Sequence, residues 1–306
     1  MFRSVILAAS RSTRLERLLA TTPVSRQIVD RFVAGTTTTH ALAVTRELVS
    51  RGLTVTLDYL GEDTLTADQA AVARDEYLRL LSSLGSASLT PAAEVSLKLS
   101  ALGQRFDEKM ARDYAAEICA AAVAAGTTVT LDMEDQTTTD STLDILTQLR
   151  QDFPAVGVAL QAYLRRTEAD CRELAGPGSR VRLCKGAYAE PESVAYQSRL
   201  EVDKSYVRCL NVLMSGEGYP MLATHDPRLV AIGQDRARWF DRAEDEFEFQ
   251  MLYGVRTIEQ QRLVAEGYTV RVYVPYGTQW YGYLMRRLAE RPGNVAFFAR
   301  ALRSRT

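Results

Sequence analysis

The chain has 306 residues, 46% of them hydrophobic, and a formal net charge of −1 from 37 basic and 38 acidic side chains. That length can bury a large core, in one big domain or two ordinary ones, and its interspersed charges form no basic stripe for nucleic acid. Two histidines and four scattered cysteines (Cys119, Cys171, Cys184 and Cys209), with no CxxC pair, argue against a zinc site and fit a reduced intracellular compartment.

Residues 1–50 read as helical, with breaks at Pro23 and Gly35 and with Leu15, Leu18 and Leu19 spaced for one face. The opening MFRSVILAAS meets Arg11 and Arg14 too soon for a signal-peptide core. No later stretch is long and apolar enough to span a bilayer. The start suits an amphipathic docking helix, so peripheral contact with a membrane stays open. GTTTTH (35–40) is a loop leading into a helix over 41–51.

A pattern then recurs. LTVTLD (53–58), EVSLKL (94–99), TTVTLD (127–132), VGVALQ (156–161), RVRLCK (180–185), PMLATHD (220–226), EFEFQML (246–252) and TVRVYV (269–274) read as eight strands. The seventh is the weakest of the eight, since it could be helical. Helices are expected between them, for example over 67–84, 107–125, 141–152 and 202–214. Gly52, Gly126, Gly157 and Gly267 sit where a helix has ended and a strand opens. Strand–helix alternation implies a parallel sheet. Eight units in about 250 residues match an α/β fold of the (β/α)8 barrel type, with a doubly wound sheet as runner-up. The expected organisation is one domain: a helical N-terminal extension over 1–50 and a catalytic barrel over 51–306.

A barrel of this kind places its active site at the C-terminal strand ends. Those ends carry Asp58, Lys98, Asp132, Gln161, Arg182 with Lys185, Thr224 with His225, Gln250, and Tyr273. Lys98 and Arg182 lie in otherwise apolar strands, where a charge is costly unless it meets a partner or ligand. After the eighth strand, broken by Pro275 and Gly277, a helix follows. On it Tyr283, Arg286, Arg287 and Glu290 fall at i, i+3, i+4 and i+7, with Leu284, Met285 and Leu288 on the other side. Two adjacent guanidiniums could hold a carboxylate in a bidentate fork. Lys98, Arg182, Lys185, Arg286 and Arg287 outnumber the anions Asp132, Glu290 and Glu62, which implies an anionic guest such as a small carboxylate or a cofactor phosphate. In KGAY (185–188), Gly186 allows close backbone approach. The chain has no GxGxxG after a first strand, no P-loop and no GxSxG. A Schiff-base lyase using Lys98 or Lys185 remains open on chemistry alone, as does an idle barrel kept for binding.

LDYLGED (57–63), SLKLSALG (96–103), LDMED (131–135), QAYLRR (161–166), VRLCKGAY (181–188), ATHD (223–226), EFQMLYG (248–254) and YVPYGTQWYGYLMRRLAE (273–290) come in this order over most of the chain from residue 50. The last contains YxxxRRxxE. With these segments the sequence resembles the proline dehydrogenase family. The resemblance implies a distorted, TIM-like (β/α)8 barrel holding FAD, the oxidation of L-proline to Δ1-pyrroline-5-carboxylate, and a quinone that re-oxidises the flavin. It implies a stand-alone enzyme, cytoplasmic or peripheral on the inner face of a membrane. By motif position, Asp132 and Arg182 match catalytic residues, with Arg182 close to the flavin N5. Lys98, Arg286 and Arg287 match carboxylate contacts. Tyr188, Leu252, Tyr273 and Tyr283 match the wall around the proline ring. Met133, Gln161, Lys185, Gly186, Ala187, Thr224, His225 and Glu290 match flavin contacts. Glu62 matches a gate residue that pairs with Arg286 when substrate is bound.

Two positions depart from the family pattern. Asp226 stands where relatives often carry Asn, and Cys184 stands where aliphatic residues are common, as a small buried thiol that packs and does not react. Tyr273 occupies the place where hydroxyproline-preferring relatives carry something smaller, so proline is the expected substrate and 4-hydroxyproline the alternative.

Overall fold

In a computed structural model of the chain, residues 29–61 and 64–290 are described, with side chains to Met285. Eight strands close into one parallel barrel in sequential order: β1 (Thr54–Tyr59), β2 (Ala93–Leu97), β3 (Val129–Leu131), β4 (Gly157–Gln161), β5 (Arg180–Cys184), β6 (Tyr219–Ala223), β7 (Glu248–Leu252) and β8 (Val270–Tyr276). The ring closes where β1 pairs with β8, Thr54 opposite Arg271 through Tyr59 opposite Tyr276. All eight expected strands are present. The ambiguous EFEFQML segment is a strand because every second residue packs outward: Phe247, Phe249 and Met251 are buried.

The linking helices start on side-chain caps, as free helix N–H groups require. Thr66 accepts from Gln69 N, Asp107 from Met110 N, and Ser198 from Glu201 N. Helix Glu108–Ala124 ends into Gly126, whose φ of +75° turns the chain into β3. The outer core lies between these helices and the outward faces of the strands, where Val55, Leu57, Val95, Leu97, Leu131, Leu183, Val272 and Val274 are fully buried or nearly so. Burial of each such side chain contributes about 1.5–3 kcal/mol.

Helix Thr38–Ser50 packs beside β1 and β8. The segment before it is stitched to the end of β8 by Ala34 N to Pro275 O (2.9 Å) and Gly277 N to Gly35 O (3.0 Å). Val29, Phe32 and Val33 bury a small apolar cluster with Leu60 and with Trp280, Tyr281, Tyr283, Leu284 and Met285 of helix Trp280–Glu290. Leu15, Leu18, Leu19 and Glu62 lie outside the described residues. No helix among the described residues is long and apolar enough to cross a membrane.

Candidate active site

Alternation along the strands puts the aliphatic set outside and a polar set inside. The inward residues are Glu94 and Ser96 on β2, Arg180 and Arg182 on β5, Glu248 and Gln250 on β7, and Arg271 and Tyr273 on β8. Contacts between strands that are not neighbours show that these side chains meet in the interior. Arg180 Nη2 donates to Glu94 Oε2 at 2.6 Å, and Arg182 Nη1 donates to Ser96 Oγ at 2.9 Å, both from β5 to β2.

The lower interior layer is ionic. Glu94 also accepts from Thr56 (2.9 Å) and Thr130 (3.3 Å), and Arg271 Nε donates to Glu248 Oε1 at 2.8 Å. Burial alone would raise the Glu94 carboxyl, but Arg271, Arg180 and Arg182 outweigh it and hold the group below its ordinary range.

Above this layer sits the constellation at the mouth. Lys98 follows the last residue of β2 and opens a 3-10 turn over Leu99–Leu102, rather than lying inside the strand. Its Nζ is 2.6 Å from Asp58 Oδ2, 3.3 Å from Tyr273 OH and 3.5 Å from Asp132 Oδ2. Tyr273 donates to Asp132 Oδ2 at 2.6 Å, while Asp132 Oδ1 accepts from Ser96 Oγ (2.7 Å) and Arg182 Nη1 (2.5 Å). Arg182 Nε donates to Gln250 Oε1 at 2.6 Å, and its Cζ lies 5.3 Å from the Tyr273 ring centre.

The two carboxylates differ. Burial opposes ionisation of Asp132, but Arg182, Lys98 and the hydrogen bonds from Tyr273 and Ser96 prevail, so its carboxyl is held below the ordinary range. Burial dominates at Asp58, where Lys98 only partly offsets it and Asp132 adds to it, so that carboxyl is pushed up. Burial, with Asp132 and Asp58, drives the Tyr273 phenol well above its ordinary value and keeps it a hydrogen-bond donor.

Three buried polar atoms in this layer have no hydrogen-bond partner among the described residues: Arg182 Nη2, Gln161 Oε1 and Asp58 Oδ1. The other end of Gln161, Nε2, donates to Met133 O at 3.3 Å. A buried guanidinium donor and a buried amide acceptor, left over beside a carboxyl oxygen in one layer, are the complement of a guest with both kinds of group.

A second cluster sits beyond β5 and β6. Lys185 Nζ pairs with Asp203 Oδ1 (2.5 Å) and Asp226 Oδ2 (3.0 Å), and Arg228 pairs with the same two carboxylates. Arg228, and then Lys185, hold the Asp226 carboxyl far below its ordinary range against a partial burial cost. Asp226 also caps helix Pro227–Trp239. His225 Nε2 accepts from Leu252 N at 2.9 Å, so that nitrogen carries no proton. Thr224 is buried and its hydroxyl accepts from Asp226 N. Gly186 has a φ of +100°, and a Cβ there would stand 2.2 Å from Cδ1 of Tyr163, so the loop that follows β5 passes over that ring only with glycine. Ala187 and Tyr188 are exposed beyond it.

The structure thus brings Lys98, Asp132, Arg182 and Tyr273 together, sets Gln161 and Met133 in contact, and places Leu252 against His225. Three expectations change. Lys185 belongs to the outer salt-bridge cluster and not to the central group. The described mouth is balanced, Lys98 and Arg182 against Asp58 and Asp132, and shows no cation excess among the described residues. Cys184 is half-buried, its Sγ 3.5 Å from Leu160 O, and is not a core thiol. Tyr283 is buried in the apolar cluster of its helix. Arg286, Arg287 and Glu290 lie on the same helix, and their side chains are outside the described residues. Ser96, Glu94, Glu248, Arg180 and Arg271 were not among the expected site residues. The signal for the last four was charge recurring at inward positions of strands.

A closed parallel barrel whose strand ends converge on lysine, arginine, tyrosine and two carboxylates defines a barrel enzyme for a small polar substrate. The family model described as proline dehydrogenase matches residues 41–300. The chain is 39% identical to proline dehydrogenase 2 of Bacillus subtilis (strain 168) over 273 residues, 89% of each chain. It is 36% identical to the proline dehydrogenase of Deinococcus radiodurans over 315 residues, 99% of this chain and 98% of that one. Among solved structures, proline utilization A (PutA) from Bdellovibrio bacteriovorus, inactivated by N-propargylglycine, superposes with a TM-score of 0.84 at 26% identity. That match covers 95% of this chain and 36% of the longer protein. The chain belongs to the proline dehydrogenase family and is an oxidoreductase that oxidises proline, the first step of proline catabolism.

Proposed function

We propose that the chain oxidises L-proline to Δ1-pyrroline-5-carboxylate using bound FAD, with a quinone as the final electron acceptor. The observation that carries this reading is the buried pair Arg182 Nη2 and Gln161 Oε1, a donor and an acceptor suited to the two kinds of polar edge on a flavin ring. In this reading Met133, Gln161, Arg182, Lys185, Gly186, Ala187, Thr224, His225 and Glu290 hold the cofactor. Lys98, Arg286 and Arg287 bind the carboxylate of proline, and Tyr188, Leu252, Tyr273 and Tyr283 wall its ring.

The flavin, when bound, supplies the hydride acceptor. The protein's part is positioning and charge. Proline arrives as a zwitterion, and its ring nitrogen must lose a proton before hydride can leave the adjacent carbon. Both oxygens of Asp132 are already engaged by donors, so Asp132 orients Arg182 and Tyr273 and does not act as the base. Arg182 meets negative charge that develops on the cofactor side, in an interior where such a contact counts for more than in water. A lipid-borne quinone goes with peripheral association at the inner face of a membrane.

A Schiff-base lyase is disfavoured because the ammonium groups of Lys98 and Lys185 are each paired with carboxylates, whereas an amine nucleophile has to be uncharged. The test is direct. Purified protein should carry a visible flavin absorption band that bleaches when proline is added without oxygen and returns with a soluble quinone. A colourless protein, trapped by borohydride with a keto substrate, would reverse the reading in favour of the lyase.

A further inference from the structure

We propose that Gln250 is a positioning residue that aims Arg182 at the bound flavin, its own amide set in direction by Glu248 beneath it. This inference rests on the functional reading above.

A glutamine amide has two ends of nearly the same shape, one a donor and one an acceptor, so only its partners fix which way it points. Below Gln250 lies Glu248, fully buried and ion-paired to Arg271, which can only accept. Its Oε1 receives both Gln250 Nε2 at 2.5 Å and Arg271 Nε at 2.8 Å. The amine end of Gln250 therefore faces down. Its carbonyl end faces up and receives Arg182 Nε at 2.6 Å. A flipped amide would set N–H against N–H above and oxygen against oxygen below, two repulsive contacts in a buried layer.

Arg182 has three nitrogens to commit. Gln250 holds Nε, Ser96 and Asp132 hold Nη1, and Nη2 is left buried without a partner among the described residues. A planar guanidinium gripped along two edges has one direction left for its remaining N–H groups. Without Gln250 it would be held by the Nη1 edge alone and could swing about it. The column Arg182–Gln250–Glu248–Arg271 thus ties the catalytic layer to the ionic floor of the barrel, across β5, β7 and β8.

Two variants of the holoenzyme test this. Gln250→Met keeps the size and removes both contacts. It should keep its flavin and a proline KM within about twofold, lose at least about tenfold in kcat, and show a flavin reduction potential shifted negative. Gln250→Glu offers a different probe, since a protonated carboxyl reproduces both contacts, with O–H to Glu248 and C=O to Arg182. Among the described residues the introduced carboxyl would face Arg182, paired with Asp132, above and Glu248, held by Arg271 and Tyr219, below, and two carboxylates so close share a proton. Relative to the parent, this variant should lose kcat as pH rises, an alkaline limb that the parent lacks. Wild-type kcat and potential in Gln250→Met overturn the proposal. Should that variant not fold, a Gln250→Glu profile parallel to the parent's overturns it instead. If the parent protein itself carries no flavin and leaves proline unoxidised, the functional reading fails first.

Discussion

Tyr273 and Asp132 reach each other across the inside of the barrel, from β8 to the residue that follows β3, with the phenol donating to Oδ2 at 2.6 Å. The contact makes Tyr273 more than a wall for the substrate. It is one of the donors that keep a buried carboxylate charged. Tyr273→Phe keeps the ring beside Arg182 and removes that donor. Loss of a hydrogen bond to a buried charge costs about 1.5–3 kcal/mol, so kcat/KM for proline should fall by about tenfold or more. The Asp132 carboxyl should also titrate higher. Tyr273→Ser opens space as well, and should raise the ratio of 4-hydroxyproline to proline turnover. Steady-state rates with both substrates decide this. An unchanged ratio would remove Tyr273 from the specificity wall.

Asp132 and Asp58 flank Lys98, yet their shifts have opposite signs, and stability should report that. Asp132 is held below its ordinary value of 3.8, so it contributes stability above pH 3.8 that is lost as pH falls through its folded value. Asp58 is held above 3.8, so its contribution is present below that pH and is lost as pH rises through its folded value. The stability gap between the parent and Asp132→Asn should therefore widen as pH rises from the acid side. The gap for Asp58→Asn should narrow over the range above pH 3.8. Urea midpoints across a pH series measure both, and gaps that move together would contradict the assignment.

Gly186→Ala tests the loop that follows β5. The φ of +100° costs a side-chain-bearing residue about 1–2 kcal/mol, before the added carbon meets Tyr163 at 2.2 Å. Tyr163 cannot easily yield, because it is buried and its backbone N–H is bonded to Lys185 O at 2.9 Å. The loop has to move instead. The variant should melt at a lower temperature and retain less flavin per protein, read from the ratio of visible to ultraviolet absorbance. If both values match the parent, the loop tolerates a side chain and Gly186 has no cofactor role.

The barrel was legible because its outward residues repeat. Val55 and Leu57, Val95 and Leu97, and Val270, Val272 and Val274 mark strands by period two, and every strand needs such a face against helices. The mouth was legible in part, because a lysine or arginine next to Leu97 or Leu183 stands out against an apolar run. The floor was not. Glu94, Arg180, Glu248 and Arg271 are each ordinary as single residues, and a charge alternating with valine reads as a strand with one wet face. Only closure of the sheet brings Arg180 to Glu94 across 86 positions of sequence. Ser96 was invisible for a similar reason: a serine matters here only because Arg182 and Asp132 arrive beside it.

The charge balance at the mouth makes Arg286 the sharpest substitution on the substrate side. Lys98 already shares its charge with Asp58 and Arg182 with Asp132, so Lys98 brings little uncompensated charge to an incoming carboxylate. If Arg286 and Arg287 supply that charge, Arg286→Met removes a charge-assisted contact of about 1.5–3 kcal/mol. That corresponds to a rise of roughly ten- to a hundredfold in the KM for proline. Flavin content should stay near one per chain, because the lost contact is to the substrate, and kcat should change less than KM. Pyrrolidine, which has the ring but no carboxylate, gives the control: its weak turnover should hardly differ between the variant and the parent. An unchanged KM for proline, or an equal loss with pyrrolidine, would remove Arg286 from the carboxylate site and leave the balanced mouth without its cation.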